Sequence, residues 1–279
     1  MDYNYFDIHA HLDVPDFDLD REDEIGKMKE QKIGAIAIGV DLQSSKKAIA
    51  LSLAHDNLFA SVGQHPEDLD MNSVFDTRLE SLVDNKKVVS IGECGLDYSQ
   101  LSLKTELSPN AEYLKGIQKT VFEYHVDLAL AVQKPLMLHI RPSKGSQDAY
   151  LDTLNILEHH AKISGNKLRG NAHFFAGDMD VLRRFLDIGF TVSFTGVITF
   201  THDYDELVRY APTDMIMSET DSPLVAPVPH RGTRNSPLYV VEVVKKIAEI
   251  RNEPFEKIKT ALIKNTLRHF PSIASLVSL

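Results

Sequence analysis

The chain has 279 residues, 43% hydrophobic and 25% charged, an ordinary soluble composition that argues against disorder. Its formal net charge of −10 counts against extended, non-specific gripping of duplex phosphates, which favours basic proteins. It leaves room for a nuclease that holds a few phosphates at a strand end, because bound divalent cations add local positive charge.

Short apolar runs rich in β-branched residues recur along the chain, separated by helical patterns. The predicted strands are Tyr5–His11, Gly34–Val40, Leu58–His65, Val88–Gly95, Pro135–Arg141, Leu168–Phe175, Phe190–Gly196 and Met215–Thr220. Helices are expected over Glu22–Lys32, Ser44–His55, Phe75–Asn85, Tyr113–Gln133, Ala149–Ala161, Met179–Leu186, Leu238–Arg251 and Phe255–Leu262. An irregular loop is expected around Leu101–Asn110. Eight strand–helix units predict parallel strands with helical crossovers, closed into a (β/α)8 TIM-type barrel rather than an open sheet. No linker or low-complexity tract divides residues 1–279, so a single domain is expected.

No apolar run approaches the roughly 20 residues that span a bilayer, so no membrane partner is expected. The first twelve residues carry acids and histidines rather than a basic and apolar leader. One cysteine, Cys94, rules out an internal disulfide and fits a cytoplasmic location. If Glu93 faces inward, Cys94 faces the helices as inert core.

The chemistry gathers where strands end. His9 and His11 stand two apart on the first strand and share a face, and barrel active sites form at the carboxyl ends of strands. Glu93, His139, His173 and Asp221 each follow an apolar run on the fourth, fifth, sixth and eighth strands. Four separate buried polar groups would each need partners; one shared metal site satisfies all of them. Four imidazoles and two carboxylates exceed what one tetrahedral ion needs, so two divalent ions with a bridging carboxylate are expected. Imidazole suits Zn, Mn, Fe or Co better than Mg. His65, in Gly63-Gln64-His65-Pro66, and Arg141, two residues after His139, are candidate substrate contacts, Arg141 for phosphate or carboxylate. The other histidines read as surface or core. Phe174 and Phe175 read as packing, with base stacking as the alternative.

These motifs resemble the TatD-like metal-dependent deoxyribonucleases of the amidohydrolase-type barrels. The resemblance runs through Phe6–Leu12, Gly63–Pro66, Gly92–Asp97, Pro135–Arg141, His173–Gly177, Ser193–Gly196, Glu219–Pro223 and Arg231–Pro237. It implies that His9, His11 and Asp221 hold one ion, His139 and His173 the other, and that Glu93 bridges them. Asp221 would also take a proton from the attacking water, making Asp221 and Glu93 the catalytic pair, while His65 and Arg141 meet the scissile phosphate. The implied reaction is phosphodiester hydrolysis, often at a DNA 3′ end, with two ions drawn from Zn, Mn, Mg or Co, single-stranded DNA ends as partner and no obligate protein partner. Three departures stand out. Pro142-Ser143 follows Arg141 in place of an acid and alanine, Ser236 stands where glutamate is usual, and the Leu101–Asn110 loop is irregular. On the same centre, hydrolysis of another ester or amide, or of mischarged aminoacyl-tRNA, stays open, as does a non-catalytic scaffold.

Overall fold

The computed structural model describes residues 3–99, 101 and 109–277; the expected loop at Leu101–Asn110 falls mostly outside them. Eight parallel strands pair in sequence order: β1 (Tyr5–Ala10), β2 (Ile33–Ile38), β3 (Leu58–Val62), β4 (Val88–Asp97), β5 (Leu136–Arg141), β6 (Gly170–Ala172), β7 (Thr191–Phe194) and β8 (Ile216–Ser218). Strands β2, β3 and β4 are buried along their whole length, as parallel strands covered on both faces must be. The β1–β8 seam closes through a single bridge, Ala10 to Ser222. Side chains reinforce it: the Ser218 hydroxyl donates to the Phe6 carbonyl at 3.1 Å, and the Thr220 N–H donates to Asp7 Oδ1 at 2.9 Å. The molecule is a nearly closed (β/α)8 barrel.

The covering helices are α1 (Arg21–Glu30), α2 (Leu42–Ala54), α3 (Pro109–Val132), α4 (Asp148–Ser164), α5 (Met179–Asp187), α6 (Asp205–Tyr210), α7 (Val240–Arg251), α8 (Phe255–His269) and α9 (Pro271–Val277). The expected helix at Phe75–Asn85 is only a 3-10 turn, Thr77–Ser81. Its Phe75 and Leu79 pack with Leu42 of α2 and Val121 of α3, so these two helices already cover that flank. Helices α6 and α9 went unforeseen, being too short for a clear 3.6-residue period. Cys94 is buried in the layer between sheet and helices, as expected.

Two layers of core result. Outside the sheet, Leu136, Leu138, Val192 and Phe194 pack against the helices. Inside the barrel, Phe6, Ile8, Ile36, Phe59, Met137 and Met217 pack with Phe270 and Ile273 at the start of α9, which plugs the amino-terminal end.

Candidate metal centre

Two β-bulges aim the central groups. Strict alternation from the inward Phe6 and Ile8 would turn His9 and His11 outward. Instead the β1–β2 register slips between Asp7 and Ala10, and Ala10 joins the outer layer. The extra residue reverses the phase and sends both imidazoles into the mouth. A second slip lies between Ile91 and Cys94 on β4. Both of those residues face the helices, leaving Gly92 and Glu93 on the inner side. Gly92 and Gly95 sit at φ +138° and +141°, and a Cβ on either would collide with the Met137 or His139 carbonyl oxygen. Only glycine lets β5 approach so closely on both sides of Glu93.

The six expected residues converge. His9 Nε2 and His11 Nε2 are 3.2 Å apart and lie 3.3 and 3.6 Å from Glu93 Oε2. Asp221 Oδ1 is 3.7 and 3.5 Å from the same two nitrogens. The other carboxylate oxygen, Glu93 Oε1, has His139 Nδ1 and His173 Nε2 at 3.0 Å each. Glu93 thus offers one oxygen to each pair of imidazoles. Its Oε2 is buried without a hydrogen-bond partner among the described residues, and an orphaned carboxylate oxygen is costly unless a cation meets it. With imidazole nitrogens around it, this donor set fits divalent metal ions.

Electrostatics follow the same arrangement. Burial would raise the Glu93 carboxyl, but His9, His65 and His173, with the hydrogen bond to His139, hold it well below the carboxylate range. Burial would likewise raise Asp221, which the neighbouring His11, His173 and His9 bring down. Burial lowers His9 further, with His173 beside it; the two rings stack at 3.7 Å.

Two carboxylates escaped the sequence reading, although both stand inside the quoted motifs. Asp97 Oδ2 accepts from His139 Nε2 at 2.9 Å, and Glu219 Oε2 accepts from His173 Nδ1 at 3.2 Å. Burial lowers His139, yet its bonds to Asp97 and Glu93 lift it to about 9. A histidine that binds metal through one nitrogen commonly donates the other N–H to a carboxylate. The available signal was spacing: Asp97 lies four residues past Glu93 and Glu219 two before Asp221, each at a strand end.

His65 stands beside this cluster, its Nε2 3.5 Å from Glu93 Oε1. It groups geometrically with Glu93 and His139 as a possible metal triad, but its tautomer points elsewhere. The Glu67 N–H donates to His65 Nδ1 at 3.2 Å, so in the neutral ring Nε2 carries the proton and is a donor. Buried His125 supports this turn. Its Nδ1–H donates to the Val121 carbonyl at 2.8 Å and its Nε2 accepts the Gln64 N–H at 3.0 Å. Arg141 ends β5 exposed to solvent, and its side chain has no hydrogen bond or ion pair among the described residues.

Of the departures, Ser143 donates through its N–H and its hydroxyl to the carboxylate of Asp148, the first residue of α4, at 2.9 and 2.8 Å. Ser236 is buried and donates to Glu24 of α1 at 2.6 Å. Both residues tie loops to helices, and neither bonds to the six converging residues.

A family model described as TatD related DNase matches residues 6–271. The uncharacterized metal-dependent hydrolase YabD of Bacillus subtilis is 36% identical over 270 residues, covering 95% of this chain and 98% of that one. YcfH of Escherichia coli K12, likewise named an uncharacterized metal-dependent hydrolase, is 32% identical over 276 residues, 96% of each chain. The crystal structure of YJJV, a TatD homologue from E. coli K12, shares the fold at a TM-score of 0.80 and 22% identity, covering 96% of this chain and 98% of that one. Carrying the family's motifs on its barrel from the first strand to the last helix, the chain belongs to the TatD-related DNase family.

Proposed function

We propose that this TatD-family hydrolase is a deoxyribonuclease that removes nucleotides from the 3′ ends of single-stranded DNA, using two divalent ions. The observation that carries the reading is Glu93, whose two oxygens each face a separate pair of imidazoles. His9, His11 and Asp221 would hold one ion, His139 and His173 the other, with Glu93 between them. When bound, the ions would supply positive charge to the phosphate oxygens and lower the pKa of a water.

The protein's own groups do the rest. Asp221 is kept ionised by its imidazole neighbours and takes the proton that the attacking water loses. Asp97 and Glu219 hold His139 and His173 in single orientations. His65 Nε2–H donates to a phosphate oxygen, and Arg141, free of other partners among the described residues, adds a charge-assisted contact. A small number of phosphate contacts at the mouth of an acidic protein favours a strand end over a duplex interior. No helix among the described residues is long and apolar enough to cross a membrane.

The test is turnover of end-labelled single-stranded DNA, RNA and a panel of neutral esters by protein reconstituted with Mg, Mn, Zn or Co. Stepwise release from the 3′ end is expected. Ester or amide turnover with every DNA left intact would overturn the nuclease reading.

A further inference from the structure

We propose that Phe174 is the platform on which the terminal base of the substrate stacks, an inference that rests on the nuclease reading above. Alternation along β6 would place residue 175 on the same face as His173. Instead Phe175 is 1% exposed and packs among Tyr150 and Phe185 in the outer layer. Phe174 absorbs the change of phase at φ +43°, a conformation uncommon for a bulky side chain.

The ring of Phe174 is half-buried and belongs to none of the hydrophobic clusters of the described residues. Its centroid is 6.4 Å from that of His173, with the planes at 74°. The position is anchored from below. Glu219 accepts the Phe174 N–H through Oε1 at 2.5 Å, while its Oε2 takes His173 Nδ1–H at 3.2 Å. One buried carboxylate therefore sets the ring and the imidazole together. Packing in this segment is already supplied by Phe175, which leaves Phe174 an apolar π-face at the edge of the mouth. An unstacked base beside a phosphate held at the centre is flat, apolar on its faces and within reach of such a ring. Stacking of this kind accepts every base and needs the base freed from a duplex.

The experiment compares two single-stranded oligonucleotides that differ only in the scissile 3′ nucleotide, one normal and one abasic. Phe174→Ala should lower kcat/KM on the normal end by about tenfold or more, chiefly through KM, as loss of one stacked base does. On the abasic end it should stay within about twofold of the parent protein. Phe174→Leu, which keeps bulk without a π-face, should resemble the alanine variant, and Phe174→Trp should restore activity. A 3′-terminal 2-aminopurine on a cleavage-resistant oligonucleotide should be quenched by the parent protein and not by Phe174→Ala; the chain has no tryptophan to contribute emission. Equal losses on both ends, or unchanged quenching, would overturn the platform while leaving the nuclease standing. Parent protein that turns over esters but no nucleic acid would overturn both.

Discussion

The two halves of the barrel interior are built by the same strands and differ in almost every property. Strand β1 contributes Ile8 to the lower half and His9 to the upper; β5 contributes Met137 below and His139 above. The lower half is an apolar plug closed by Phe270 and Ile273. Above it, imidazoles and carboxylates crowd around Glu93, with two of the sheet's three register slips, two positive-φ glycines and left-handed Phe174 and Asp221 close by. The lower half holds the barrel together by burial, which is indifferent to direction. The upper half must aim particular atoms, and it departs from regular strand geometry to do so.

That contrast can be broken by mutation. The largest effect is expected from Glu93→Gln, which removes the charge shared by both imidazole pairs. Turnover should fall by about a thousandfold or more, roughly 4 kcal/mol, and bound metal per chain, measured by elemental analysis, should drop. Turnover within a few-fold of the parent would remove Glu93 from its central position.

Ile8→Ala should do the reverse. It opens a cavity in the lower half and should cost about 3 kcal/mol in chemical denaturation. Turnover per folded molecule should hardly change. If kcat fell in step with stability, the two halves would not be separable.

A pH series sharpens the comparison, because each end rests on a buried neutral histidine. Burial pushes His125, behind the His65 turn, down to about 4, and His269, at the end of α8, to about 3. In the unfolded chain both titrate near 6.5. The unfolded state therefore takes up protons first as pH falls. Stability is complete above about pH 6.5 and declines toward the folded values, by about 3 kcal/mol for His125 by pH 4. Denaturation midpoints of His125→Gln, followed from pH 7 to 4, should fall less steeply than those of the parent. An identical slope would show that His125 binds its proton as readily in the fold as in the unfolded chain.

The smallest effect concerns the rim. Arg141→Ala should weaken kcat/KM on DNA by about 2 kcal/mol, the loss of a charge-assisted contact. A neutral ester offers the guanidinium no anionic oxygen, so its hydrolysis should be unaffected. Equal losses on both substrates would make Arg141 a structural residue.

Much of this molecule is legible in one dimension. All eight strands lie within a few residues of the predicted runs, because a strand covered on both faces must be continuously apolar and such runs stand out. The converging residues are legible for a related reason: a histidine or acid that ends an apolar run is conspicuous, and parallel strands bring such ends to one level. Short elements were less visible. The turn at Thr77–Ser81 and helices α6 and α9 are governed by what already covers that part of the sheet.

By itself the sequence determined the strand count, the parallel barrel and the residue types that meet at its mouth, since each is carried by local pattern. Direction was decided only in the tertiary structure. A period of two places His9 and His11 on a common face but does not say which face, and it places Phe175 with His173. The slips opposite β2 and β5 chose inward for His9 and Glu93, and the left-handed turn at Phe174 sent Phe175 outward. The partnerships of Asp97 with His139 and of Glu219 with His173 cross between strands. Register between strands is a property of their pairing, and no single strand carries it.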